Sequence, residues 1–362
     1  MATKRKRSVA ARIFAGIGIF LAVVLVLAGG LLAFLSVAEF RPADDEPAAV
    51  EGSATNALKQ GDSLRIVSWN VGYGALGEDA DFFMDGGSMV RGESKETVLK
   101  NLDGIQKEID ALKPDVLLLQ EIDRGSSRSY RVNEYAMMQT HLSGYASSFA
   151  NNYKVAYVPY PMPPLGKVDS GLATFTSYPV SGARRVQLPV PFSWPVRTIN
   201  LKRCLLISRV PVEGTDRELV LVNLHLEAYD EGDGKIAQTK MLSELLQAEA
   251  EKGNYVIAGG DFNQIFSSTD GSRFPTAEGN WEAGQIDVTQ FADGWRFLMD
   301  EQVPSCRLLS KPYRGADHDT FQYYLIDGFI VSENVTVTSC AAQDLGFVVS
   351  DHNPVLLEVT LN

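Results

Sequence analysis

Apolar positions along the chain fall into three kinds of run, each predicting a different element. The longest, residues 13–38, holds no charged side chain. As a helix rising ~1.5 Å per residue it reaches about 39 Å, enough to cross a ~30 Å hydrocarbon core. Helical spacing follows at about residues 95–112, where Val98, Leu99, Leu102, Ile105, Ile109 and Leu112 mark one face, and at about 235–252, with Ala237, Met241, Leu245 and Ala248. Short, dense apolar runs predict strands at 64–69, 115–119, 171–180, 203–210, 218–224, 255–258, 323–331 and 355–359. Residues 39–62 are rich in Pro, Ala, Asp, Glu, Ser and Gly with little to bury, which predicts a flexible linker. Residues 264–295 read as surface loop with short helices. Two proline- and aromatic-rich loops, 153–166 and 188–195, read either as a stiff packed lid or as a rim. The rim would meet substrate or lipid through Tyr157, Tyr160, Met162, Phe192 and Trp194.

Each amphipathic helix lies between two strands, and two such units predict an α/β sandwich with an internal near-duplication. Folds of this kind bind ligands beyond their strand ends. Polar residues collect there. Asn70 ends the first strand, Glu121 follows the strand at 115–119, and His225 ends the one at 218–224. In Gly259-Gly260-Asp261-Phe262-Asn263 the glycines are expected to turn the chain and present Asp261 and Asn263, although Gly-Asp-x-Asn alone also caps helices and fills turns. Asp327 interrupts an apolar strand, where an acid is costly unless partnered, and Asp351-His352 offers the partner.

Carboxylates suit Mg2+ or Mn2+ better than zinc. His352 with an aspartate is a general acid/base couple, while Asn70, Asn263 and His225 offer donors to phosphate oxygens. The set describes metal-assisted attack of water on a phosphoester. Arg128, Arg131 and Arg203 read either as phosphate clamps or as ordinary surface arginines. His318 and His141 read as loop or helix residues.

Charge narrows the partners. The chain has 362 residues, 45% of them hydrophobic, and a net charge of −12; from Ser63 onward, 26 Lys+Arg face 39 Asp+Glu, a balance of −13. An acidic domain lacks the broad basic face that general nucleic-acid binding uses. Lys4, Arg5, Lys6, Arg7 and Arg12 precede the apolar run, and Glu39, Asp44, Asp45 and Glu46 follow it. The positive-inside rule then predicts a cytoplasmic tail at 1–12, a single transmembrane helix at 13–38, the linker at 39–62 and an extracytoplasmic domain at 63–362 of a cell-membrane protein. Ser36-Val37-Ala38 also fits a signal-peptide cleavage site, but the run exceeds the usual ~7–15 residues. Three cysteines, Cys204, Cys306 and Cys340, are too few for a disulfide-built fold; Cys306 and Cys340 either form one bridge or stay free.

In order, Trp-Asn, Gln-Glu, Asn-x-His, Gly-Asp-x-Asn, Ile-Asp and Ser-Asp-His resemble the endonuclease/exonuclease/phosphatase superfamily, over roughly residues 63–362. The resemblance implies a four-layered α/β sandwich, two central mixed sheets flanked by helices, behind the N-terminal transmembrane helix. It implies Mg2+ held chiefly by Glu121 with Asp351 or a neighbour such as Asn70, and Asn70, Asn263 and His225 on the scissile phosphate. Asp327 orients His352, and the water's proton goes to Asp261 or to His352. Gln264 after Asn263 and Gly328 after Asp327 depart from the inositol phosphatase pattern and count against phosphoinositides. The expected activity is phosphodiester hydrolysis, on nucleic acid or a phospholipid head group. The alternatives are phosphomonoester hydrolysis on a small substrate and a non-catalytic binding module; no protein partner is implied.

Overall fold

The computed structural model describes residues 9–230 and 232–362. Lys4, Arg5, Lys6 and Arg7 lie outside the described residues. Helix α1 (Val9–Val37) comes first, beginning before the apolar run because Arg12 and its neighbours are already helical. Three short strands follow, β1 (Asp45–Ala48), β2 (Val50–Gly52) and β3 (Leu58–Lys59). Next come β4 (Ser63–Asn70), α2 (Lys95–Leu112), β5 (Val116–Asp123), α3 (Glu134–His141), β6 (Ala146–Val158), β7 (Gly166–Thr176), β8 (Gly182–Gln187) and β9 (Cys204–Glu213). The remainder runs β10 (Glu218–His225), α4 (Asp233–Ala250), β11 (Tyr255–Asp261), β12 (Gln264–Phe266), β13 (Gly284–Ile286), β14 (Arg296–Leu298) and β15 (Cys306–Arg307). It ends with β16 (Tyr323–Tyr324), β17 (Asp327–Val331), β18 (Val335–Ala342) and β19 (Val355–Leu361).

Two mixed sheets form the centre. One runs β1-β8-β9-β10-β11-β17-β14, with β3 paired to β9, and the other runs β18-β19-β4-β5-β7-β6-β2. Ile66, Leu118 and Leu357 of the second sheet meet Leu221, Ile257 and Phe329 of the first in the core between them. On the outer face of the second sheet, α2 packs Val98, Leu102, Ile105 and Ile109 over Leu117 and Leu119. On the outer face of the first, α4 packs Leu242 and Leu246 over Val220, Val222 and Ala258. Each such fully buried side chain contributes about 1.5–3 kcal/mol. Helix, sheet, sheet, helix is the four-layered sandwich expected. A polar bridge fixes one sheet against the other: Gln120 Nε2 donates to Asn223 Oδ1 at 2.9 Å, and Asn223 Nδ2 donates to the Leu119 and Ala173 carbonyls.

The structure corrects several local expectations. Residues 39–62 are no free linker. β1 pairs antiparallel with β8, β2 with β6, and β3 runs parallel to β9, so the segment lies along edges of both sheets. Edge pairing is made by backbone groups and needs few apolar side chains, so composition did not signal it. Helix α4 buries Gln238, Leu242, Leu246 and Glu249 instead of the face through Ala237, Met241, Leu245 and Ala248. The polar pair explains the offset: Gln238 accepts from the Glu227 amide, and Glu249 holds Arg209 and Asn254. The loop expected from residue 153 is strand as far as Val158, and the apolar run at 323–331 is two strands separated by Leu325 and Ile326. The stretch after Asn263 carries β12, β13 and one turn of 3-10 helix at Val288–Gln290. All three cysteines are free.

Candidate active site

The strands deliver the polar residues to one end of both sheets. In the parallel pair β10–β11, His225 stands opposite Asp261, and in the antiparallel pair β11–β17, Asp261 stands opposite Asp327. In the other sheet Asn70 ends β4 opposite Gln120, and Asp351 and His352 immediately precede β19, which runs antiparallel to β4. Gly259 and Gly260 do not turn the chain as expected; both lie within β11. They permit close approach instead. A Cβ on Gly259 would meet the Phe329 ring at 2.5 Å, and one on Gly260 the Leu224 carbonyl oxygen at 2.0 Å.

Local strain marks the site. The β5–β7 register shifts between Leu119 and Ile122, so Gln120 and Glu121 occupy a bulge that re-aims Glu121. Glu121, Asn263 and Tyr73 have φ of 54°, 51° and 41°, a region costing a non-glycine residue about 1–3 kcal/mol. Surrounding contacts hold them there. Asp261 Oδ1 accepts from the Asn263 amide at 2.9 Å, and Asn263 Nδ2 donates to the Leu226 carbonyl at 2.9 Å.

His352 is the hub. Its Nδ1 lies 2.8 Å from Asp327 Oδ2, and its Nε2 lies 3.8 Å from Asp261 Oδ2 and 3.9 Å from Asp351 Oδ2. Trp69 Nε1 donates to the His352 carbonyl at 2.8 Å. Burial alone would keep this imidazole neutral, but Asp327 with Cys306 and Asp351 drives its pKa well above the ordinary value. Asp261 has its pKa pushed up to about 7 by burial and by Asp327, against the pull of His352 and of the Asn263 and Asn70 hydrogen bonds. Asp351 rises to about 6 by burial, with Glu121 adding to it. His225 is pushed the other way, well below its ordinary value, by burial and by Arg203; its Nε2 is 3.4 Å from Asp261 Oδ2.

Asn70 uses its amide within the protein. Nδ2 donates to Asp261 Oδ2 at 3.0 Å and to Glu121 Oε1 at 3.4 Å, and Oδ1 accepts from the Gly72 amide. It links the two carboxylates expected to serve base and metal. Among the described residues, His352 belongs to two compact groups with metal-ligand spacing, one with Cys306 and Asp351 and one with Asp261 and Asp327. Glu121 lies outside both and faces Arg128 Nη1 at 3.4 Å. The donor set nonetheless fits a hard cation: Asp261 and Asp351, buried with their pKa values raised towards neutrality, are short of positive charge, and a divalent ion would supply it.

Sequence reasoning left Arg128 open and missed its neighbours. Arg128 is buried: it donates to Asp123 through Nε and Nη2, stacks 3.6 Å over the Tyr73 ring, and braces Glu121. Arg131 is exposed and does not line the cavity. Arg203 does line it, donating to the His225 carbonyl and to Glu227. His318 stacks on Tyr313, and His141 pairs with Asp110; both lie outside the cavity. Asp85 and Arg307 line the cavity unforeseen, because the 3-10 turn Phe83–Asp85 and the two-residue strand β15 are too short to leave a periodicity. The cavity, of about 300 Å³, holds Asn70, Glu121, His225, Asp261, Asn263, Asp351 and His352 at its polar floor. Its wall includes Phe82, Phe83, Met84, Tyr160, Phe192 and Leu201.

Sandwich and floor together define the phosphoesterase class of this architecture. Residues 67–352 match the Endonuclease/Exonuclease/phosphatase family, and the chain belongs to that family. Family members generally hydrolyse phosphoester bonds with a divalent metal. Solved structures share the fold. An endonuclease/exonuclease/phosphatase from Beutenbergia cavernae aligns with TM-score 0.58 at 19% identity, covering 83% of this chain and 72% of that one. The human Nocturnin catalytic domain, with a bound sulfate anion, aligns at 0.51 and 18%, covering 87% and 98%. D. rerio TDP2, complexed with a single-strand DNA product, aligns at 0.50 and 17%, covering 83% and 99%. No curated protein matches the chain in sequence.

Proposed function

We propose that the chain is a membrane-anchored, extracytoplasmic, Mg2+- or Mn2+-dependent phosphodiesterase. The observation that carries this reading is the relay Asp327–His352–Asp261 on the floor of a cavity that also holds Glu121, Asp351 and Asn70. Glu121 and Asp351, with Asn70 beside them, would hold the metal, which when bound neutralises phosphate charge and lowers the pKa of water. Asp327 keeps His352 protonated, so His352 serves as a cationic donor to phosphate oxygens and the water's proton falls to Asp261. Its pKa of about 7 suits a base working at neutral pH. The water oxygen bonds to phosphorus as the bond to the leaving oxygen breaks. His225, neutral, has a buried Nδ1 without a hydrogen-bond partner among the described residues and, with Asn263, lies where a phosphate oxygen can be met.

Helix α1 is long and apolar enough to span a bilayer. The charge asymmetry around it supports a cytoplasmic N-terminus. Two measurements test the reading. The purified full chain in detergent, given Mg2+, should cleave bis-p-nitrophenyl phosphate faster than p-nitrophenyl phosphate; the reverse preference would favour the monoesterase. In intact cells, external protease should digest residues 63–362, and protection from it would refute the orientation.

A further inference from the structure

The chain between α1 and the domain is bolted down. Leu35 is buried, and Ser36 Oγ accepts a hydrogen bond from Trp194 Nε1 at 3.0 Å. Two residues beyond the helix end, Glu39 has a side chain only 3% exposed and is held by Arg41 at 3.0 Å, Lys202 at 3.2 Å and Arg197 at 3.3 Å. Phe40 lies against Lys154 and Arg185, each 5.6 Å from its ring centre, and by Asp45 the chain is already paired in a sheet. A bilayer around α1 therefore ends where Trp194 begins.

The segment that receives the helix also builds the catalytic mouth. Phe192, Ile199, Asn200 and Leu201 line the cavity, and the Tyr153 hydroxyl donates to the Ile199 carbonyl at 3.3 Å, joining this segment to β6 and to the loop beyond it. The side chains turned outward here are Trp194 (55% exposed), Val196, Tyr160 and Met162 (86%), with Arg197 and Lys154 beside them. Aromatic and aliphatic tips with flanking basic groups have the chemistry of a bilayer interface, where rings sit at headgroup depth and cations meet anionic lipid. The domain as a whole is acidic, with 26 Lys+Arg against 39 Asp+Glu from Ser63 onward, a balance that works against broad polynucleotide binding.

We infer that residues 160–163 and 192–197 form a membrane-contact rim, fixed to the anchor through Glu39 and Trp194, and that the site takes its phosphodiester from a lipid of that bilayer. The second half rests on the phosphodiesterase reading above. The polar floor receives the phosphate, and the wall of Phe82, Phe83, Met84, Tyr160, Phe192 and Leu201 receives the apolar part of the lipid.

The test reconstitutes the full chain in phosphatidylcholine–phosphatidylglycerol vesicles and reads two signals. Lipids brominated near the headgroup should quench tryptophan emission in the wild type, and that quenched fraction should vanish in Trp194→Phe; emission indifferent to bromine overturns the rim. Trp194→Ala with Met162→Ser, neither of which lines the cavity, should lower hydrolysis of vesicle phosphatidylglycerol about tenfold and leave bis-p-nitrophenyl phosphate turnover unchanged. Equal loss on both substrates, or cleavage of DNA with none of lipid, overturns the lipid assignment. Failure to cleave the soluble diester overturns the hydrolytic reading and the lipid assignment with it, while the bromine signal still decides the rim.

Discussion

The floor of the cavity and its rim are built on opposite plans. On the floor, Asn70, Asp261 and His352, with Asp327 behind His352, are all buried, tied to strand ends and hydrogen-bonded as the pairs Asn70–Asp261 and His352–Asp327. On the rim, Tyr160, Met162, Trp194 and Val196 are exposed. The floor positions groups for chemistry and tolerates no slack; the rim offers surface that something else must cover. Changes to the floor should therefore act on the chemical step or on folding, and changes to the rim on which substrate arrives.

The largest effects belong to the floor. Asp261→Ala or His352→Ala should lower kcat by about 10³-fold with the fold retained, as followed by steady-state turnover and circular dichroism. Arg128→Lys loses the paired bonds to Asp123 and the stack on Tyr73, and should cost about 3 kcal/mol in urea unfolding, although it keeps the charge. Asp327→Asn should lower kcat by about 10²-fold. It should also move the His352 titration, seen by NMR, to lower pH, because burial then acts against Cys306 and Asp351 without the largest opposing group.

The legible part of the molecule was the floor and the sheets that hold it. Strand ends follow from dense apolar runs, and Asn70, His225, Asp261, Asp327 and His352 each stand at or beside one, so strand reading alone brought them together. The rim loops were marked by their prolines and aromatics but left open between a packed lid and a rim, and the anchor clamp was not legible. Their elements are edge strands and irregular loops, held by contacts between distant positions such as Ser36 with Trp194 and Glu39 with Lys202, which leave no periodic trace. Arg128 was ambiguous because burial of an arginine depends on Asp123, Tyr73 and Glu121 meeting around it.

A smaller effect sharpens the electrostatic side of the comparison. Asp261 and Asp351 have pKa values raised to about 7 and about 6, so without metal the folded chain keeps protons that the unfolded chain releases near pH 3.8. Their contribution to stability is full below pH 3.8 and falls as pH rises through 6 and 7. Mg2+ held at Glu121 and Asp351 would displace the Asp351 proton and, by its charge, disfavour the one on Asp261. Its stabilisation should grow from pH 5 to pH 8, reaching about 5 °C in Tm by calorimetry. Smallest of all, Trp194→Ala should change soluble-diester turnover by less than about twofold; a larger loss would mean that rim and floor are one unit.

The most direct measurement is turnover of bis-p-nitrophenyl phosphate by the full chain in detergent, with Mg2+, after EDTA, and after Mg2+ is restored, beside Asp261→Asn. The account predicts turnover that EDTA abolishes and Mg2+ restores, and that the variant lacks. Turnover indifferent to EDTA, or equal in the variant, would contradict it.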